Sequence, residues 1–67
     1  MKTADIIVYN AIKDYINTHG YSPSIRDLCE VTGKTSTSTI KTRLDSLVES
    51  GYIEIEPTYA RTIRIIR

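Results

Sequence analysis

Along the first third of the chain, Val8, Ala11, Ile12, Tyr15 and Ile16 recur at intervals of three and four, the spacing that places apolar side chains on one face of a helix. The pattern predicts a first helix over residues 3–19. Thr3 is placed to cap it, Asp5 to complement the positive end of its dipole, and Gly20 to stop it in a left-handed conformation. His19 falls in the last turn, where the dipole favours a cation, and no nucleophile lies near it in the pattern.

In the link Tyr21-Ser22-Pro23-Ser24 the proline biases the residue before it toward extended backbone. Ser24 has the hydroxyl of an N-cap, and Asp27 three residues later is its capping-box partner. Ile25, Leu28, Cys29 and Thr32 then share one face of a second helix, which Gly33 closes. Lys34 and Thr35 lead to Ser36, the cap of a third helix predicted over residues 37–50 and ended by Gly51. Two helices joined by a short link containing a glycine make a helix-turn-helix. Ile40, Leu44, Leu47 and Val48 are spaced to face inward from the third helix.

After Gly51 the period drops to two. Tyr52-Ile53-Glu54-Ile55-Glu56 alternates, and so does Arg61-Thr62-Ile63-Arg64-Ile65, so Ile53, Ile55, Ile63 and Ile65 share a face. Pro57-Thr58-Tyr59-Ala60 turns the chain between them, giving a hairpin over residues 52–66. A lone hairpin is marginal in water, so its isoleucines are expected to pack on the helices. The predicted fold is mainly α with a small β-hairpin, a three-helix winged helix-turn-helix occupying residues 1–67 as a single domain.

Composition narrows the chemistry. With 67 residues, the chain has little room for an active-site cleft. Its single Cys29 excludes an internal disulfide framework and a multi-cysteine zinc site, and it sits on the inward stripe with no flanking base to activate it. The opening MKTADIIVYN has no apolar run long enough for a signal peptide or a membrane span, which fits a reducing, cytoplasmic setting. There is no paired-carboxylate motif, Ser/His/Asp set, phosphate-cradling glycine loop or metal-ligand cluster. Neither catalysis nor a cofactor is expected.

The formal net charge of +1 hides an uneven distribution. Residues 34–44 carry Lys34, Lys41 and Arg43 with no acid, and residues 57–67 carry Arg61, Arg64 and Arg67 with none. All eight acids fall elsewhere, beside Lys2, Lys13 and Arg26. A near-neutral chain of this kind can still present a basic face. On the outer face of the third helix lie Thr37, Ser38, Lys41, Thr42 and Asp45, with Thr39 and Arg43 at the flanks. Serine and threonine are weaker helix formers than the Glu, Lys, Gln and Ala of an ordinary solvated face. A surface built for short-range hydrogen bonding accounts for the choice.

Double-stranded DNA is the partner this pattern fits. Phosphate neutralisation supplies affinity, base-edge contacts supply sequence, and a recognition helix enters the major groove by its N-terminal residues. Ser36, Ser38, Thr39, Lys41 and Thr42 are therefore the candidate base readers, with Lys41 suited to guanine and the threonine methyls to thymine. Lys34, Arg43, Tyr59 and Arg61 are the candidate backbone contacts. The competing class is a winged-helix protein-interaction module that captures a host or phage regulator without binding DNA. Salt separates the two, because phosphate contacts weaken steeply with it.

Three stretches carry a family resemblance: Gly20-Tyr21-Ser22-Pro23-Ser24-Ile25-Arg26-Asp27-Leu28, Ser36-Thr37-Ser38-Thr39-Ile40, and Leu44-Asp45-Ser46-Leu47-Val48-Glu49-Ser50-Gly51-Tyr52-Ile53. Over nearly the whole chain the sequence resembles the N-terminal DNA-binding domain of the LexA repressors of the SOS response, most nearly the Gram-positive type. The resemblance implies transcriptional repression, with the third helix reading an operator through Ser36, Ser38, Thr39, Lys41 and Thr42 and the wing touching the backbone through a residue such as Arg61. Lys34 and residues 41–43 depart from the best-known members, so their operator sequence is not carried over. Residues 1–67 contain neither the Ala-Gly cleavage site nor the Ser/Lys dyad of that family's C-terminal half, which supplies self-cleavage and dimerisation. The chain fits either a free-standing regulator, for example of a phage, or a domain of a longer repressor. A lone copy makes few phosphate contacts, so a homodimer on a palindromic operator, or a C-terminal dimerisation and protease domain, is expected. Ile6 and Ile7 exceed the inward stripe and Ile66 breaks the strand alternation, which offers a small self-association patch.

Overall fold

The computed structural model describes residues 2–33, 36–56 and 63–67. Helices α1 (Thr3–His19), α2 (Ile25–Thr32) and α3 (Thr37–Glu49) are followed by strands β1 (Ile53–Ile55) and β2 (Ile63–Ile65). The strands pair antiparallel with Ile53 opposite Ile65, Glu54 opposite Arg64 and Ile55 opposite Ile63. This is the winged helix-turn-helix order that the hydrophobic period predicts.

One core joins every element. Val8 and Ile12 of α1, Leu28 of α2, Ile40, Leu44 and Leu47 of α3, Ile53 of β1 and Ile63 of β2 are all buried together. The third helix is central to the packing, touching α1, α2 and β1. Ile55, Ile65 and Cys29 pack half-buried at the edge of this core, while Glu54 and Arg64 point to solvent, so the strand alternation does sort the hairpin into two faces.

The helix ends show local chemistry at work. Ser24 Oγ accepts the Asp27 N–H at 3.1 Å, and Asp27 Oδ2 accepts the Ser24 N–H at 3.0 Å, completing the capping box. Such a cap is worth about 1 kcal/mol, which matters for a helix of eight residues that would be marginal alone. The same Asp27 Oδ2 accepts from Tyr15 Oη at 3.1 Å, fastening α1 to the start of α2. Ser22 Oγ accepts the Ile63 N–H at 3.2 Å and ties β2 to the link between those helices.

Helix α3 closes with Gly51 at φ +81°, a left-handed conformation that favours glycine. There the Tyr52 N–H donates to the Leu47 carbonyl and the Gly51 N–H to the Val48 carbonyl, both at 3.0 Å. This is a Schellman end, and it launches the chain directly into β1.

Two expectations are corrected. Thr3 does not cap α1: Lys2 takes that position with extended backbone and no side-chain cap bond, and its carbonyl accepts the Ile6 N–H at 2.9 Å. The helix thus starts one residue too early for the threonine hydroxyl to serve. Val48 does not face inward but is 42% exposed. At 3.6 residues per turn it lies roughly 80° around the helix from Ile40, and the inward sector is filled by Ile40, Leu44 and Leu47.

Candidate nucleic-acid interface

Burial of Ile40 and Leu44 fixes the roll of α3, and with it the residues left outside. Ser36, Thr37, Ser38, Thr39, Lys41 and Thr42 are all exposed. The structure therefore brings all five predicted base readers onto the open surface of one helix start.

The hydroxyls are not equivalent. Ser36 Oγ accepts the Thr39 N–H at 3.4 Å as the helix cap, and its own O–H has no acceptor among the described residues. Thr42 is the reverse: its Oγ1 donates to the Ser38 carbonyl at 2.9 Å, so to a partner it can offer only a lone pair and a methyl group. The Ser38 and Thr39 hydroxyls make no hydrogen bond among the described residues and can donate or accept.

Charge is graded along this face. The first turn of α3 contains no acid, so the positive end of the helix dipole is left unopposed and favours an anion. Lys41 is exposed and forms no ion pair among the described residues. Asp45 and Glu49, in the second half of the helix, are exposed as well. An anionic partner is therefore favoured at the N-terminal half and disfavoured at the C-terminal half.

Other cations are partly committed. Arg43 Nη1 lies 3.3 Å from Asp5 Oδ1, and Ser46 Oγ donates to Asp5 Oδ2 at 2.8 Å. The sequence pattern assigns Asp5 to the helix dipole, yet it is buried and grips α3. A signal for this is present in the spacing: Asp5 lies three residues before Val8 and seven before Ile12, on the inward stripe, where a carboxylate must find partners. Arg64 lies 3.9 Å from Glu54 across the strands, an exposed pair of little energetic weight. Arg64, in a stretch of sequence without an acid, thus gains an acid neighbour through strand register. Arg67 sits over the Tyr52 ring at 5.8 Å. The candidate contacts Lys34, Tyr59 and Arg61 lie outside the described residues.

Open recesses among the described residues lie elsewhere, for example between α1 and β2 and between α1 and α2, and no α3 residue lines these. Among the described residues, no group of three or more His, Cys, Asp or Glu could hold a metal ion. None of their helices is long and apolar enough to cross a membrane. At the exposed start of α3, hydroxyls and a cation with no ion pair among the described residues lie together.

Known proteins share this arrangement in sequence. Residues 4–62 match the family described as LexA DNA binding domain. A LexA repressor of Moorella thermoacetica is 45% identical over 60 residues, covering 90% of this chain and 29% of that protein. A LexA repressor of Staphylococcus aureus is 44% identical over 59 residues, covering 88% of this chain and 28% of its own length. One from Clostridium kluyveri is 42% identical over 59 residues, covering 88% and 29%. The chain spans less than a third of the length of these relatives. A family match that runs from the second residue of α1 almost to β2, over the helix-turn-helix and its exposed hydroxyl-rich start, places the chain in the LexA DNA binding domain family.

Proposed function

We propose that this chain recognises a specific double-stranded DNA sequence with the N-terminal half of α3 in the major groove and the β1–β2 wing against the backbone, and that it serves transcriptional repression in the cytoplasm. The observation that carries the reading is the acid-free start of α3, where Ser36, Ser38, Thr39, Lys41 and Thr42 stand exposed on a helix whose roll is fixed by three buried side chains. Its relatives are LexA repressors, which supports the regulatory part. Ser36, Ser38, Thr39, Lys41 and Thr42 read bases, and Lys34, Arg43, Tyr59 and Arg61 hold phosphates. One copy with these few contacts binds weakly, so two copies act on the half-sites of a palindromic operator, paired through self-association or through a further dimerisation domain.

Fluorescence anisotropy of the purified chain on a mixed-sequence duplex and a palindromic SOS-type duplex, each at two salt concentrations, tests this reading. For about three phosphate contacts, affinity should fall roughly 40-fold between about 50 and 200 mM salt, with one duplex preferred at both. No binding to either duplex at low salt would instead favour a protein-interaction module, or a domain that needs a further dimerisation half.

A further inference from the structure

The geometry points to Asp5 as a positioning residue for DNA binding: from the first turn of α1, its buried carboxylate aims the Arg43 guanidinium along the flank of α3, where its remaining nitrogens meet a phosphate. This rests on the DNA-binding reading above and adds to it a residue that lies outside α3.

Asp5 is 3% exposed, and it is the charged side chain buried among the described residues. A buried carboxylate is costly unless both oxygens are satisfied. Here both are, and both partners come from α3: Arg43 Nη1 at 3.3 Å on one oxygen and Ser46 Oγ at 2.8 Å on the other. Residues three apart on a helix are neighbours on its surface, so a single carboxylate holds two adjacent points of α3 against α1. That grip resists rotation of α3 about its own axis, the motion that would carry Ser38, Lys41 and Thr42 away from a groove.

The Arg43 contact uses one nitrogen of the guanidinium. A guanidinium has five N–H donors in a rigid fork, and Nη2 and Nε have no acceptor among the described residues; the side chain keeps 26% of its surface open against 5% for Asp5. Nη1 is anchored on Asp5, and the side chain as a whole stays partly open to solvent, directly after Lys41 and Thr42 on the proposed groove-entering helix. An arginine held this way has already lost its rotamer freedom before DNA arrives, which lowers the cost of binding. Asp5 opposes part of the arginine charge, and the gain from orientation is expected to exceed that loss.

The test is a mutant cycle read as DNA affinity at two salt concentrations, with the folded fraction of each variant measured by thermal melting. Arg43→Gln should weaken all duplexes alike and reduce the salt slope by about one. Asp5→Asn should weaken binding about three- to tenfold with the slope unchanged, since the cation remains but is no longer aimed. In the Arg43→Gln background, Asp5→Asn should add nothing. If Asp5→Asn does not fold, Ser46→Ala loosens the same carboxylate and should give part of the same non-additive loss. Tighter binding by Asp5→Asn, losses that add, or affinity of the folded fraction left unchanged would each overturn the proposal. Absence of salt-dependent DNA binding by the unmutated chain would instead overturn the DNA reading beneath it.

Discussion

Leu47→Ala is expected to leave the chain largely unfolded in mild denaturant. Leu47 is fully buried between the helices and the strands, and its carbonyl accepts the Tyr52 N–H that closes α3. Truncating a core leucine costs about 2–5 kcal/mol through lost burial and the cavity left behind. A chain of this length has a total stability of only roughly 3–10 kcal/mol, so the loss takes much of what there is. With a urea dependence of about 1 kcal/mol per molar, the unfolding midpoint followed by circular dichroism should drop by about 2 M or more. Val48→Ala, one residue away but largely exposed, should move it by less than about 0.5 M. Similar shifts for the two would contradict the inward sector described for α3.

The second large effect concerns sequence preference. Lys41 is exposed at the start of α3, free of ion pairs among the described residues, and surrounded by hydroxyls. A well-made contact from lysine to a guanine edge discriminates by about 1–3 kcal/mol, or roughly 5- to 150-fold. Lys41→Ala should therefore change which duplex is preferred while leaving weak binding to mixed sequence. Arg61→Ala, assigned to the backbone, should weaken every duplex alike and lower the salt slope by about one. A panel of duplexes differing at single base pairs, titrated with both variants, checks the contrast. Equal losses on all duplexes for both variants would refute the division of roles.

Features set by neighbours along the chain are legible in the sequence alone. The Ser24–Asp27 box, the left-handed Gly51 and the alternating isoleucines need only a few residues each to declare themselves, and all take the predicted form. The exposed start of α3 follows from the same periodicity, because Ile40 and Leu44 fix the inward side. Contacts between distant residues are not legible in this way. Asp5 and Arg43 are 38 positions apart, and only the packing of α1 on α3 brings them together. Glu54 faces Arg64 because of strand register, which the charge count of a single stretch of sequence does not contain. Both pairings reduce the free positive charge that Arg43 and Arg64 suggest in isolation. The Thr42 hydroxyl is a finer case, since its bond to the Ser38 carbonyl is local but depends on the rotamer chosen. Ile6, Ile7 and Ile66, the residues expected to offer a self-association patch, are each exposed, at 40%, 47% and 51%. Single exposed apolar residues are ordinary on small domains and do not by themselves identify a partner.

Amide chemical-shift mapping by NMR, during titration of the chain with its preferred duplex, bears most directly on where DNA binds. Docking of DNA on α3 predicts that the largest shifts fall on residues 36–42, with smaller ones at Arg43 and the wing, and that Ile7 and Val31, which line the recess between α1 and α2, stay still. Shifts concentrated at Ile7, Val31 and that recess, with residues 36–42 unmoved, would contradict it.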